Sequence, residues 1–291
     1  MNARARLSLD GLSTGDGFGQ LLFADDLFPP NMRRTGRREL PPPVWLWTDD
    51  THMALSIVEV LESHGEMTED ELARAFTRRF LESPFRGYGP GAARLLSGLA
   101  RGGDWRELAP ALFDGGSFGN GAAMRAAPIG AFYAGDPKRA AAEADRSARV
   151  THAHPEGRAG AIAVAVAAAW AGAENPPGGR DLLEAVLPHV PPGETHSGIA
   201  AAMRYAPDQA PAVAAELGTG SRISAQDTVP WCLWCAAHHG ADYEEALWIT
   251  AAGSGDVDTT CAIVGGIVAL SSRGVPEEWL SRREPLHDLR R

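Results

Sequence analysis

Two acidic segments of the chain each lead directly into an apolar helical pattern. The first reads Thr-Asp-Asp-Thr over residues 48–51, and a helical pattern starts at Thr51 or just before it. The second reads Asp-Val-Asp-Thr-Thr over residues 256–260 and runs into the apolar stretch 261–270. Acidic residues before a helix are commonly caps, because helix N–H groups and the helix dipole favour negative charge there. Two segments that combine carboxylates with hydroxyls are less expected by chance than one.

Both segments offer only oxygen atoms as ligands. Oxygen ligands without a nearby cluster of histidine or cysteine suit a hard cation such as Mg²⁺ or Mn²⁺ rather than zinc. If the two helix starts converge, their four carboxylates could hold two ions. Spacing along the sequence does not prove convergence, so helix capping stays open as the alternative.

Charge and cysteine content narrow the class of protein. The 291 residues carry 27 basic and 37 acidic side chains, and the net charge of −10 argues against a general nucleic-acid-binding surface. Residues 33–38 form a basic run that could meet a phosphate, although such a run is more often a solvated loop. Three cysteines are too few for a disulfide framework, which predicts a reducing, cytoplasmic setting. No apolar run reaches membrane-spanning length, so we expect no membrane partner.

The hydrophobic periodicity is helical along the chain, and runs with the two-residue period of strands are nearly absent. The sequence therefore predicts an all-α fold. Thr68 and Glu71 have the spacing of a capping box, and an Ala-rich helix after Pro155 is expected at the centre of the fold. Cys232 and Cys235 are interpreted as buried structural residues. Further helices are predicted for residues 69–82, 92–99, 138–150, 198–205, 207–217, 229–239 and 243–252.

Glycine-rich segments supply the other candidate features. Residues 115–125 read Gly-Gly-Ser-Phe-Gly-Asn-Gly-Ala-Ala-Met-Arg, a composition suited to N–H groups that cradle an anion at a helix start. A helix-entry turn without a ligand is the alternative. Residues 15–19 carry glycines that allow close backbone approach or positive φ, and the loop at 83–91 could be a lid. His152 is interpreted as a hydrogen-bonding group rather than a metal ligand.

Five motifs taken together resemble those of the ADP-ribosylglycohydrolase family. In order they are Gly15-Asp16-x-x-Gly19, Thr48-Asp49-Asp50-Thr51, Gly119-Asn120-Gly121-x-x-Met124-Arg125, Thr151-His152 and Gly255-Asp256-x-Asp258-Thr259. The resemblance covers about residues 11–272. It implies a single compact all-α domain over residues 1–291, a site for two Mg²⁺ or Mn²⁺ ions, and release of ADP-ribose from a modified protein side chain.

The resemblance also implies roles for individual residues. It places metal ligands at Thr48, Asp49, Asp50, Asp256, Asp258 and Thr259. It places contacts with the diphosphate and ribose at Gly116, Ser117, Gly119, Asn120, Gly121 and Met124, a stacking ring at Phe118 and a substrate contact at His152. Hydrolysis at the ribose needs an activated water and a carboxylate that takes its proton. For that base we expect Asp49 or Asp50, with Asp258 next.

The sequence departs from the family pattern at two places. Members often carry a glutamate several residues after the Gly-Asp motif, and residues 20–23 read Gln-Leu-Leu-Phe. Ser254 stands where a glycine is usual. The missing glutamate leaves open an ADP-ribose-binding or toxin-blocking protein with little or no catalysis, and a two-metal phosphoesterase is the other alternative. The expected partner is ADP-ribose or an ADP-ribosylated protein, and an ADP-ribosylated nucleic acid stays compatible with the sequence.

Overall fold

A computed structural model describes residues 2–23 and 39–286, and the basic run at 33–38 lies outside the described residues. The helices of the first half of the fold are α1 (Ala3–Phe23), α2 (Asp49–His64), α3 (Glu69–Glu82), α4 (Pro90–Ala100), α5 (Trp105–Leu108), α6 (Ala127–Phe132) and α7 (Pro137–Arg149). Those of the second half are α8 (Pro155–Ala171), α9 (Arg180–Val186), α10 (Glu194–Ala202), α11 (Ala210–Leu217), α12 (Ala225–His239), α13 (Tyr243–Ala252), α14 (Val257–Ser271) and α15 (Glu277–Arg282).

The all-α prediction is confirmed. Within the described ranges the chain forms no strand beyond two isolated bridges, Trp45 with Arg283 and Gly119 with Ser224. Two 3₁₀ turns, Asn120–Ala122 and Leu187–His189, supplement the α-helices. In these same ranges no helix is both long and apolar enough to cross a membrane.

Helix α8 lies at the centre of the fold, as its sequence predicts. Its alanines, valines and glycines are buried on nearly every side, and it packs against α6, α7, α12 and α14. Cys232 and Cys235 on α12 are buried, as interpreted from the sequence, and Cys261 on α14 is buried as well; none of the three forms a disulfide. Small side chains on α8 let the surrounding helices approach closely.

Helix α1 packs along α14 through a row of glycines four residues apart. A Cβ at Gly15 would lie 2.1 Å from the carbonyl oxygen of Cys261, and one at Gly19 would lie 2.4 Å from that of Val257. Gly11 makes the same kind of contact with Gly265. The glycines therefore serve close backbone approach rather than positive φ. Helix propensity does not predict α1, because each interior glycine weakens a helix by about 1 kcal/mol.

The predicted capping box of α3 is absent, and the predicted starts of α10, α11 and α12 differ from the observed ones by three or four residues. The side chain of Thr68 makes no capping hydrogen bond, and Glu71 pairs instead with Arg74, three residues further on. Helix α12 starts at Ala225, four residues before the predicted start, and continues through Pro230. Proline fits the first turn of a helix better than its interior, so the sequence favours a helix that starts next to Pro230.

Candidate functional site

Asp16 of α1 organises the first turn of α2. Its fully buried carboxylate accepts hydrogen bonds from the backbone N–H of Thr48 at 2.9 Å and from that of Thr51 at 3.1 Å. It also accepts from both hydroxyls, at 2.9 Å for Thr48 and 2.5 Å for Thr51. The segment at 48–51 therefore takes its shape from a residue of another helix. Sequence reasoning assigned Asp16 no role, although the Gly15-Asp16 motif contained the signal.

The second acidic segment lies beside the first. Gly19 brings α1 against the start of α14, where a Cβ on that glycine would lie 2.7 Å from Cα of Asp258. Asp256 and Asp258 share a side-chain hydrogen bond, and Asp256 also accepts one from Thr259. The structure thus brings together the two segments that the sequence keeps far apart, with Asp16 as a fifth carboxylate. We call Asp16, Asp49, Asp50, Asp256 and Asp258 the acidic cluster.

Burial raises the pKa of all five acids, and repulsion from neighbouring carboxylates adds to the shift for the four outside α1. Burial, followed by the charges of Asp16 and Asp258, raises the pKa of Asp49 to about 8. The same causes raise the pKa of Asp50 well above its usual value. Burial and then Asp258 raise the pKa of Asp256 to about 7, and burial followed by Asp16 raises that of Asp258. Burial and like charges disfavour ionisation, so a positively charged ligand would stabilise the ionised form of this cluster.

The donor atoms of the cluster suit a hard divalent cation. Oδ1 of Asp50 and Oδ1 of Asp258 are buried and have no hydrogen-bond partner among the described residues. Carboxylate and hydroxyl oxygens are the ligands that Mg²⁺ and Mn²⁺ prefer. However, no three His, Cys, Asp or Glu side chains in the described ranges are grouped as ligands of one ion. The fit therefore rests on donor chemistry and charge rather than on a preformed ligand set.

The loop at 115–121 lies next to His152 and His154. Gly116 has a φ of 98°, and a Cβ there would lie 2.6 Å from the backbone nitrogen of His154. Some N–H groups of this loop bind inside the protein: that of Gly116 donates to Leu112, and that of Gly119 to Oγ of Ser117. The loop enters a 3₁₀ turn at Asn120 rather than an α-helix. It therefore offers a ligand fewer free N–H groups than its composition suggests.

Asn120 joins this loop to the acidic cluster. Its Nδ2 donates to Oδ2 of Asp256 at 2.6 Å and to the hydroxyl of Thr228 at 3.1 Å. The amide is buried, with 3% of the residue exposed. The glycine-rich loop and the carboxylates consequently belong to one site.

The remaining predicted substrate residues surround the same loop. The His152 ring fills the space beside the loop, with Nε2 3.4 Å from the position of a Cβ on Gly119 and 3.2 Å from one on Gly121. Burial, followed by the charge of Arg125, lowers the pKa of His152 to about 3. Met124 is buried behind Gly121. Phe118 is 45% exposed, and its ring contacts that of His154 edge to face.

The segment 83–91, considered above as a lid, forms a loop up to residue 89 that adjoins the acidic cluster. A Cβ on Gly87 would lie 3.3 Å from Oδ1 of Asp49. Arg86 donates to the carbonyl of Trp47, stacks over its ring at 3.6 Å and forms a two-pronged ion pair with Glu284. These contacts tether the loop to the segment that precedes the acidic turn.

The fold and the site together define an all-α protein in which a buried acidic cluster meets a glycine-rich loop. The profile of the ADP-ribosylglycohydrolase family matches residues 1–291, and the chain belongs to this family.

Comparisons with individual proteins agree with this assignment. An uncharacterized protein of Archaeoglobus fulgidus is 32% identical over 294 residues, which cover 96% of this chain and 91% of that protein. ADP-ribosylhydrolase ARH3 of Homo sapiens is 30% identical over 273 residues, which cover 80% and 73%. A solved chain described as an ADP-ribosylglycohydrolase-related protein complex superimposes with a TM-score of 0.64 at 22% identity, covering 97% of this chain and 92% of that one. The structural likeness supports the fold.

Proposed function

We propose that this protein hydrolyses the glycosidic bond that links ADP-ribose to a modified partner, in the first place a protein side chain, with the help of two Mg²⁺ or Mn²⁺ ions. The observation that carries the proposal is the 2.6 Å hydrogen bond between Asn120 and Asp256, which unites the acidic cluster with the glycine-rich loop. Membership in the ADP-ribosylglycohydrolase family and the likeness to ADP-ribosylhydrolase ARH3 support the same reaction.

The cluster would hold the ions through hard oxygen atoms. The unpartnered Oδ1 atoms of Asp50 and Asp258 are the first candidate ligands, and the other candidates are Thr48, Asp49, Asp256 and Thr259. When bound, two divalent ions would neutralise the carboxylates and supply Lewis-acid assistance to hydrolysis.

A carboxylate of the cluster would serve as the general base. Water attacks the anomeric carbon of the ribose, the bond to the side chain breaks, and the proton of the water passes to a carboxylate oxygen and from there to the departing side-chain atom. Asp49 and Asp50, which stand in the first turn of α2, are the first candidates for this base, with Asp258 as the next candidate. No glutamate is available at residues 20–23 for this role.

The glycine-rich loop would bind the ADP-ribose moiety. Ser117 within the loop and Nε2 of His152 beside it are hydrogen-bonding groups, and Phe118 offers a partly exposed ring for a base or ribose. Because the protein carries a net charge of −10, an anionic diphosphate depends on such local donors and on the cations.

A product assay tests the proposal. Purified protein with Mg²⁺ is incubated with arginine-, serine- and nucleic-acid-linked mono-ADP-ribose, and free ADP-ribose is separated from AMP. We expect ADP-ribose from at least one substrate and a fall of about 100-fold or more in rate for Asp50→Asn. Asp208→Asn, at an exposed position away from the cluster, is the control that should leave the rate unchanged.

Two results would redirect the assignment. A metal-loaded protein that binds ADP-ribose but turns over none of the three substrates is a binding protein of the same fold. Formation of AMP instead of ADP-ribose identifies a two-metal phosphoesterase.

A further inference from the structure

Arg125 is a fully buried cation whose hydrogen bonds go to neutral oxygens and to Sδ of Met53. Its Nη1 donates to the carbonyl of Gly121 at 3.1 Å, and its Nη2 donates to the carbonyl of Ser147 at 3.1 Å and to the hydroxyl of Thr151 at 2.8 Å. The guanidinium lies over the ring of Phe76 at 4.6 Å. In the described ranges no carboxylate forms a hydrogen bond with it. Burying a cation without a paired carboxylate costs stability, so the presence of Arg125 at this position needs an explanation.

The hydroxyl of Thr151 links Arg125 to His152. Its Oγ1 lies 2.8 Å from Nη2 of Arg125 and 2.7 Å from Nδ1 of His152, and it has no further hydrogen-bond partner among the described residues. A guanidinium can only donate, so Oγ1 must accept from Arg125. The single hydroxyl hydrogen of this buried threonine then donates to Nδ1 of His152, the acceptor within reach.

That assignment determines the tautomer of the histidine. A neutral imidazole has one nitrogen that accepts and one that donates. Since Nδ1 accepts from Thr151, the proton of the ring must be on Nε2, the nitrogen that lies beside Gly119 and Gly121. The low pKa of His152, about 3 through burial and then Arg125, agrees with a neutral ring near pH 7.

We propose that Arg125 and Thr151 are positioning residues that hold His152 as the Nε2–H tautomer and so direct a hydrogen-bond donor at the ligand on the glycine-rich loop. Arg125 contacts both the histidine's partner and the loop, because it donates to the hydroxyl of Thr151 and to the carbonyl of Gly121. The identity of the ligand as ADP-ribose rests on the proposed function, whereas the tautomer does not.

The tautomer is measured directly by long-range ¹H–¹⁵N NMR on uniformly ¹⁵N-labelled protein at pH 7, with His152→Gln used to assign the signals. We expect the wild-type ring to be protonated at Nε2 and not at Nδ1. Thr151→Val has nearly the same shape but removes the hydroxyl, so the ratio of Nδ1–H to Nε2–H forms should rise about fivefold or more. Thr151→Ser restores the hydroxyl and should restore the wild-type spectrum.

Two spectra would overturn the proposal: a wild-type ring protonated at Nδ1, or a Thr151→Val ring with an unchanged ratio. Calorimetry with ADP-ribose provides the functional readout, with an expected loss of about fivefold in affinity for Thr151→Val and recovery for Thr151→Ser. A wild-type protein that shows the expected tautomer but neither binds ADP-ribose nor releases it refutes the proposed function and leaves the Arg125–Thr151–His152 arrangement supported.

Discussion

Asp16 accepts a 2.5 Å hydrogen bond from the hydroxyl of Thr51, so a buried carboxylate on α1 holds the first turn of α2. The contact is charge-assisted and shielded from water, which makes it stronger than an exposed hydrogen bond. It also places the Asp16 charge against Asp49 and Asp50, where it raises the pKa of both. One side chain thus shapes the acidic turn and adds to its charge.

Thr51→Val should lower the free energy of unfolding by about 2 kcal/mol, because the buried Asp16 carboxylate loses a donor while side-chain volume is kept. Thr77→Val is the matched control, since Thr77 bonds only the carbonyl of Ala73 one turn earlier in its own helix and should cost less than about 0.5 kcal/mol. Urea unfolding monitored by circular dichroism gives both values. Equal losses in the two variants would contradict a special role for the Asp16 contact.

The acidic cluster should make metal-free protein less stable as the pH rises from 6 to 8. Asp49 and Asp256 have pKa values of about 8 and 7, above the usual 3.8, so the folded state binds their protons more tightly than the unfolded state. Their contribution to stability is complete below about pH 4 and is lost as the pH rises through 7 and 8. In EDTA-containing buffer we expect Tm to fall by about 3 °C or more over this range.

Adding Mg²⁺ or Mn²⁺ at pH 8 should reverse that loss, because an ion that binds only the folded state stabilises it. Asp256→Asn should remove much of the metal-induced rise in Tm, whereas the exposed control Asp208→Asn should keep it. The buried histidines do not affect the rise in Tm at pH 8. His52 and His152 have pKa values lowered to about 4 and 3, and they reduce stability only as the pH falls below about 6.5. An unchanged metal response in Asp256→Asn would count against Asp256 as a ligand.

Gly15→Ala should destabilise the fold by several kcal/mol or prevent it from forming, because the new methyl group would lie 2.1 Å from a backbone oxygen that cannot move aside. The measurement is thermal unfolding together with soluble yield. Gly178→Ala is the control, since an added Cβ at this exposed glycine meets nothing closer than 4.0 Å. If Gly15→Ala unfolds like the wild type, α1 and α14 are not in backbone contact.

Phe118→Ala should weaken ADP-ribose binding by about 1–3 kcal/mol, by analogy with base stacking on aromatic rings. The variant should remain folded, because the residue is 45% exposed rather than part of the core, and thermal unfolding checks this. Isothermal titration calorimetry compares it with Leu81→Ala, which removes another exposed apolar side chain from the surface. A loss of affinity in both variants, or in neither, would argue against stacking by Phe118.

The sequence predicts helices best where polar and apolar residues alternate clearly with the helical period. Helix α3 starts and ends where expected, and α7 lies within one residue of its predicted bounds at both ends. Helix α1 could not be predicted in this way, because its glycines weaken a helix and tertiary packing, chiefly against α14, compensates. The start of α12 could not be read from the sequence because Pro230 lies inside this helix. Packing against neighbouring helices holds the helix together across the proline.

The acidic turns could be read from sequence as candidate ligand sets, because hard oxygen ligands are rare at this density. Their pairing could not, since it depends on how closely α1 and α14 approach. Asp16 illustrates the difference: its type and motif were visible, but its hydrogen bonds to Thr48 and Thr51 cross 32 and 35 residues of sequence. Nor does the position of Arg125 in a motif reveal that its guanidinium is buried.

The pairing of α1 with α14 has a consequence for how the chain is made. Asp16 precedes Asp258 by 258 − 16 = 242 residues, and the glycine row of α1 meets its partner only when α14 has left the ribosome. At about 5–20 residues per second, that wait lasts about 12–50 s. During this time a glycine-rich, weakly helical segment lacks its main packing partner, although α2 and α6 are already made. We expect the site to be among the last parts of the molecule to acquire its final form.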